Sequence, residues 1–292
     1  MTRGGVRLHP ALGGTLGVVA LLAVWEGYKA IGPADGWLVG SVRILPRTSD
    51  LAMPHVWSMI ARLGEPTVGA AGPPLWETVL RAALKSLGIA GVGWVIGTLV
   101  GLALALLMQR FVTARAAVLP WVVLSQTVPL IAIAPLVRRW GAQLQLGPID
   151  WADWMSVAFI ASYLAFFPVA VGALRGLSSP DAAHRDLMRV YGASWWQELR
   201  RLRFPAAVPF LLPALRLAAA SAVIGTLVAE VSIGLRGGIG RMIIEYAQAA
   251  SADPPKPWAP IGGAVLIGLV AAGFVGVIGM ALRNYQRGEG SA

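Results

Sequence analysis

Residues 178–217 read SSPDAAHRDLMRVYGASWWQELRRLRFPAAVPFLLPALRL, a polar, Arg-rich pattern set between two apolar runs. Ser179 has the character of a helix N-cap, with Pro180 at the first helical position and Asp181 where its charge suits the helix dipole. A short helix to about Tyr191 follows, and Gly192 can take the positive φ that stops it. Ser194 and Gln197 have capping-box spacing for a second helix. On it Trp195, Leu199 and Leu202 share one face, Arg200, Arg201 and Arg203 lie off it, and Pro205 is expected to end it. Helices this short need a surface to lie on. That surface is either the chain's own membrane domain or a partner protein.

Around this stretch the chain reads as membrane. Its 292 residues are 57% hydrophobic and 13% charged, with a mean hydropathy of +0.67. Such a composition excludes an ordinary soluble domain. The net charge of +10 fits basic residues at membrane boundaries, and no aromatic-basic module points to nucleic acid. There is no Cys, and His9, His55 and His184 are scattered, so disulfides, thiolate chemistry and a metal cluster are not expected. Residues 86–108 carry no charge and, at helical rise, extend about 34 Å, enough to cross a bilayer. Gly93, Gly97 and Gly101 recur there every four residues, a groove for close helix approach. Further spans are read at 116–137, 154–174, 208–231 and 258–282, with a weaker one within residues 11–25.

Polar residues inside apolar spans are the candidate functional ones. Ser125, Gln126 and Thr127 stand among Pro120, Pro129 and Pro135, so the third span either lines a polar path or is kinked. Arg138 and Arg139 are expected either to contact headgroups or to attract an anionic substrate or an acidic receptor surface. Arg216 and Glu230 lie about 40° apart around the fifth helix and roughly 21 Å along it, too far to pair. An Arg near a helix centre costs about 2.5 to 3.5 kcal/mol on insertion, so Arg216 is expected to snorkel or to bond a neighbour. Glu230 either anchors the following turn or acts as a gate.

Asp186, Gly192, Leu202, Phe204 and Pro205 stand at the spacings of the cytoplasmic "EAA" loop of bacterial ATP-binding-cassette (ABC) importer permeases, with Asp186-Leu187-Met188 in place of Glu-Ala-Ala. Gly192-Ala193-Ser194-Trp195, the prolines Pro205 and Pro209, and Leu215-Arg216-Leu217-Ala218 resemble the nitrate/sulfonate/taurine branch. Residues 126–136 resemble that family's third helix, and Ala229-Glu230 with Gly238-Ile239-Gly240 resembles a signature at the outer end of the fifth.

The resemblance implies an all-α polytopic protein of the bacterial inner membrane, with six transmembrane helices in type I ABC importer permease architecture. Its segments would be 1–31 (N-terminal segment and first helix), 32–85 (extracytoplasmic, with interfacial helices), 86–282 (core, with coupling loop 178–207) and 283–292 (cytoplasmic tail). The coupling residues implied are Asp186, Tyr191, Gly192, Ala193, Ser194, Trp195, Leu199, Leu202 and Pro205. Ser125, Gln126, Thr127, Pro129 and Glu230 are the path candidates. The chain has no Gly-x-x-x-x-Gly-Lys-Ser/Thr run, so it cannot cradle ATP phosphates in a P-loop. ATP hydrolysis is expected on separate ABC ATPase subunits, with a second permease copy, an extracytoplasmic solute-binding protein and the lipid bilayer as the other partners, and no cofactor. The solute class would be a nitrate-, sulfonate- or taurine-type anion, or a heterocyclic vitamin precursor. A secondary transporter or channel is the alternative, and should show paired titratable groups within its spans.

Overall fold

The computed structural model describes residues 10–39, 42–67, 69, 72–146 and 149–281. Its long elements are all helical, with two antiparallel ladders of two-residue strands, Leu38–Val39 with Val42–Arg43 and Gln145–Leu146 with Ile149–Asp150. The helices are α1 (Pro10–Ile31), α2 (Val56–Leu63), α3 (Leu75–Arg110), α4 (Val112–Leu124), α5 (Leu130–Gly141), α6 (Asp153–Leu177), α7 (Ala182–Val190), α8 (Trp195–Glu198), α9 (Phe204–Ile233), α10 (Ile239–Gln248) and α11 (Trp258–Ala281).

Five helical runs among the described residues are long and apolar enough to cross a bilayer: Leu12–Ile31, Leu75–Arg110, Asp153–Leu177, Trp195–Ile233 and Trp258–Ala281. A sixth span exists if Val112–Thr127 and Leu130–Gly141 count as one, but they meet at 103°. The third span expected over 116–137 is therefore broken in two, beyond the kink its prolines suggest. Pro129 forces its predecessor out of the helical region, and Val128 has ψ 127°.

The chain divides into two compact units, residues 1–78 with 245–259, and 79–244 with 260–292. The boundary near residue 78 falls inside the segment read over 32–85, and residues 245–259, within the stretch read as core, fall in the first unit. Within that unit Glu26 Oε1 accepts the Val56 N–H at 2.7 Å, and Oε2 lies 2.8 Å from His55 Nδ1, so a carboxylate sits on the N-terminus of α2. Lys29 Nζ donates to Thr48 O, Met53 O and Asp50 Oδ1, and its ammonium holds the Asp50 carboxyl below the usual range. Trp25 stacks edge-on against Trp258 with ring centres 5.0 Å apart, and Arg62 pairs with Asp253 at 2.8 Å.

The second unit is built around α6. Ala161, Ala165, Val169 and Ala170 are wholly buried. On one side a Cβ added to Gly93 would collide with Ala161 Cβ, one at Gly97 would lie 2.7 Å from Ala165 Cβ, and one at Gly101 2.6 Å from Phe166 O. On the other side Gly172 faces Ala214, Gly176 faces Ala207, and Gly225 faces Ala161. Lipid supplies no hydrophobic drive between helices, so small residues that let backbones approach hold the bundle by dispersion.

Gly97→Val is expected to force α3 off α6 and to cost about 1 to 3 kcal/mol as overpacking. Gly91→Ala, whose Cβ would meet nothing within 4 Å, should be neutral. Thermal unfolding of the detergent-purified chain, followed by size-exclusion profile, tests the pair, and equal melting of both variants would contradict the close-packing account.

Candidate functional site

The loop between α6 and α9 is held by its own backbone bonds. α7 starts with Asp181 as N-cap, not Ser179, whose Oγ instead donates to Gly176 O at 2.8 Å. At its C-terminus Gly192 has φ 68°, its N–H reaches Arg189 O, and the Ala193 N–H reaches Met188 O, both at 2.9 Å. These are the two bonds of a Schellman motif. Ser194 then closes a capping box: Gln197 N donates to Ser194 Oγ and Ser194 N to Gln197 Oε1, at 3.4 and 2.7 Å. The two helices therefore meet through a link of defined geometry rather than a slack loop.

Beyond α8 the sequence expectation needs a correction. Pro205 does not end the helix, because it stands in the first turn of α9, where its missing N–H is tolerated, and helical structure runs on from Trp195 to Ile233. A π-helical turn at Leu199–Arg203 makes the join. It also turns Arg203 inward, although the helical spacing puts this residue off the apolar face. Arg203 is buried, with Nη2 at 2.6 Å from Glu198 Oε1, five residues earlier, and Nη1 donating to Leu177 O at 2.9 Å.

The loop's apolar residues divide between two directions. Leu199 is buried and Trp195 half-buried against Met108, Leu174 and Leu177, and the Arg110 guanidinium lies 5.1 Å from the Trp195 ring. Leu202 is half-buried. Leu187, Val190 and Tyr191, at i, i+3 and i+4, point away from the chain, the last two 83% and 78% exposed, and Trp196 is exposed in the following helix. Asp186 is exposed and pairs with Arg189 at 3.3 Å. Sequence reasoning singles out Tyr191 but misses Leu187, Val190 and Trp196. The helical spacing of the first two is the signal that could have found them.

At the break between α4 and α5, Ser125, Gln126 and Thr127 form a 3₁₀ turn. Ser125 Oγ and Thr127 Oγ1 donate to Val122 O and Leu124 O, Gln126 Nε2 donates to Ser125 Oγ, and the Tyr163 hydroxyl donates to Ser125 O. Gln126 is half-buried, whereas Thr127 and Pro129 are exposed. An apolar cavity of about 290 Å³ lies alongside, lined by Leu130, Ile133, Trp140, Phe159 and Tyr163.

Glu230 belongs to a separate cluster. It is completely buried, its Oε1 accepting from Ser86 Oγ at 2.6 Å and its Oε2 from the Gly240 N–H at 2.7 Å, while Ser86 Oγ also accepts the Ile239 N–H. The carboxyl lies so close to the backbone that a Cβ on Gly238 would collide with it. Glu230 thus fastens the turn into α10 and, among the described residues, shares no hydrogen bond with Ser125–Thr127. Arg138 makes a forked pair with Asp153 at 2.7 and 2.9 Å and donates to Ile233 O, so it ties α5 to α6 and α9.

Comparison with known proteins gives the chain a family. Residues 97–287 match the family described as binding-protein-dependent transport system inner membrane component. The formylaminopyrimidine transport permease protein ThiX of Halalkalibacterium halodurans is 30% identical over 275 residues, covering 93% of this chain and 94% of that protein. The putative aliphatic sulfonates transport permease protein SsuC of Bacillus subtilis is 26% identical over 273 residues, 94% of this chain and 87% of that one. The riboflavin transport system permease protein RibX of Chloroflexus aurantiacus is 30% identical over 128 residues, 44% of each chain. With its apolar helices and a match over most of its length, this chain belongs to the binding-protein-dependent inner-membrane permeases of ABC transporters.

Proposed function

We propose that the chain forms the translocation path of an ATP-driven importer, docking on an ABC ATPase subunit through the outward face of α7 and α8. The observation that carries this reading is an apolar face, Leu187, Val190 and Tyr191 with Trp196, displayed beside a Schellman motif and a capping box. Exposed aromatics on a preorganised element are the features of an interface anchor. Trp195 and Leu199 act one layer behind, seating the pair on α3 and α6, so that ATPase closure moves the spans rather than only the loop. A second copy completes the path, the break at Ser125–Thr127 lines it, and a binding protein delivers the solute. The relatives' named solutes favour a small heterocyclic vitamin precursor or an organic sulfonate.

The rival secondary transporter would need titratable groups free to exchange protons within the spans. Glu26 and Glu230 are engaged in bonds that hold backbone turns. Glu230→Gln, which keeps the shape and at least one of the two hydrogen bonds, is accordingly expected to preserve ATP-dependent uptake in vesicles with an unchanged pH profile. Loss of uptake with wild-type thermal stability would favour the rival.

Tyr191→Ala and Trp196→Ala are each expected to weaken ATPase retention on the purified permease by about 2 kcal/mol, roughly thirtyfold. Gly192→Val meets no neighbour but strains a positive φ by about 1 to 2 kcal/mol, so it should uncouple ATP hydrolysis from uptake while leaving the chain inserted. Arg201→Ala, on the exposed side, is the control. Wild-type retention and transport in all the loop variants would remove the docking role. Reporter fusions after Arg115, Gly147, Arg189 and Pro254 should read inside, outside, inside, outside, and an outside signal at Arg189 would place the loop away from any cytoplasmic ATPase.

A further inference from the structure

Arg216 puts a guanidinium inside a span that is otherwise apolar. It is exposed on α9 and, among the described residues, has no hydrogen bond or ion pair. It stands at one end of a cavity of about 390 Å³ whose other walls are apolar, Ala220, Ile224 and Leu227 from α9 facing Ile261, Val265 and Gly268 from α11. The opposite side of α9, with Ala218, Ala222, Gly225 and Ala229, is buried and packs toward α6, and none of residues 125–129 lines the slot.

Depth and length identify what fits. A Cβ on Gly279, two residues before the end of α11, would lie 3.4 Å from Arg216 Nη2, and Arg283 follows in the sequence. Ala214, two residues before Arg216, meets Gly172, three before Arg175. The guanidinium is thus near the Arg-marked ends of α6 and α11, on the side from which α9 rises out of the α7–α8 loop. From Arg216 to Leu227 the slot runs about 16 Å at helical rise, close to half of a hydrocarbon core of roughly 30 Å. It is one leaflet deep, cationic at the headgroup end and apolar beyond. Among the described residues no acidic side chain lines it.

We propose that this slot binds one anionic phospholipid of the loop-side leaflet, its phosphate accepting hydrogen bonds from Arg216 and an acyl chain lying between α9 and α11. Basic pockets between spanning helices suit such headgroups, and the guanidinium matches a phosphate through two parallel N–H donors. The ligand would give the guanidinium a counter-ion and fill the groove between α9 and α11. That the leaflet is cytoplasmic rests on the orientation proposed above, but occupancy of the slot does not depend on ATPase docking.

The test is native mass spectrometry of the full chain in detergent, titrated with phosphatidylglycerol or phosphatidylcholine. The wild type should retain phosphatidylglycerol preferentially, and Arg216→Gln should lower that retention by about fivefold or more. Gly268→Leu keeps the cation but places a side chain in space that is open at this residue, and should lower retention comparably, covering the case in which the Arg216 variant fails to fold. Equal retention of the two lipids by the wild type, or unchanged retention in both variants, would overturn the proposal. So would displacement of the lipid by an equimolar short-chain alkanesulfonate, which would assign Arg216 to solute. Dissociation of a permease dimer in Arg216→Gln with lipid retention unchanged would overturn it as well, by giving the slot to a second copy.

Discussion

The absence of Cβ atoms where α3 and α9 meet α6 is the constraint on which the rest of this bundle depends. In a bilayer, apolar side chains gain nothing by leaving lipid for protein, so association must come from close backbone contact and from polar groups that find partners. Gly93, Gly97 and Gly101 supply the first on one side of α6, and Gly172, Gly176 and Gly225 on the other. The contact fixes which faces of α9 remain free. One of them forms the Arg216 slot with α11.

Polar groups then secure the ends. Glu230 with Ser86 and Gly240, Arg138 with Asp153 and Ile233, and Arg203 with Glu198 and Leu177 each tie a helix terminus or turn to another element. At the buried Glu230 and Arg203, unlike the exposed Arg138–Asp153 pair, removing one partner exposes the full desolvation penalty of the other. These clusters therefore lock the geometry from which the loop projects. They also engage Glu230 and Glu198 in bonds that hold neighbouring turns and helices.

The loop itself combines two kinds of specification. Its link is local, encoded by Gly192 and by Ser194 with Gln197, and the structure shows the positive φ and the reciprocal bonds that those residues suggest. Its orientation is tertiary. Trp195 and Trp196 are neighbours of the same type, yet one packs beside Arg110 on the membrane helices and the other faces outward, because the π turn and the Arg203 anchor set the rotation of α8.

The membrane class, the long apolar spans, the approach surface at Gly93, Gly97 and Gly101 and the caps at Gly192 and Ser194 are all legible in the sequence by itself. Charge-free length, four-residue spacing and capping residues act over a few turns of chain, so a local pattern suffices to encode them. Only the tertiary structure decided what is set by separation along the chain. Ser86 meets Glu230 across 144 positions, and Arg62 meets Asp253 across 191. Pro205 reads as a stop because proline lacks a donor, yet it opens α9, since the preceding π turn puts it where no donor is needed. Pro129 reads equally as a kink or as part of a lining, because the angle between two helices depends on what each packs against. Arg216 stands out in the sequence as a charge in an apolar run. That it has no partner among the described residues, and heads a slot one leaflet deep, follows from the packing of α11 on α9, which no local pattern encodes.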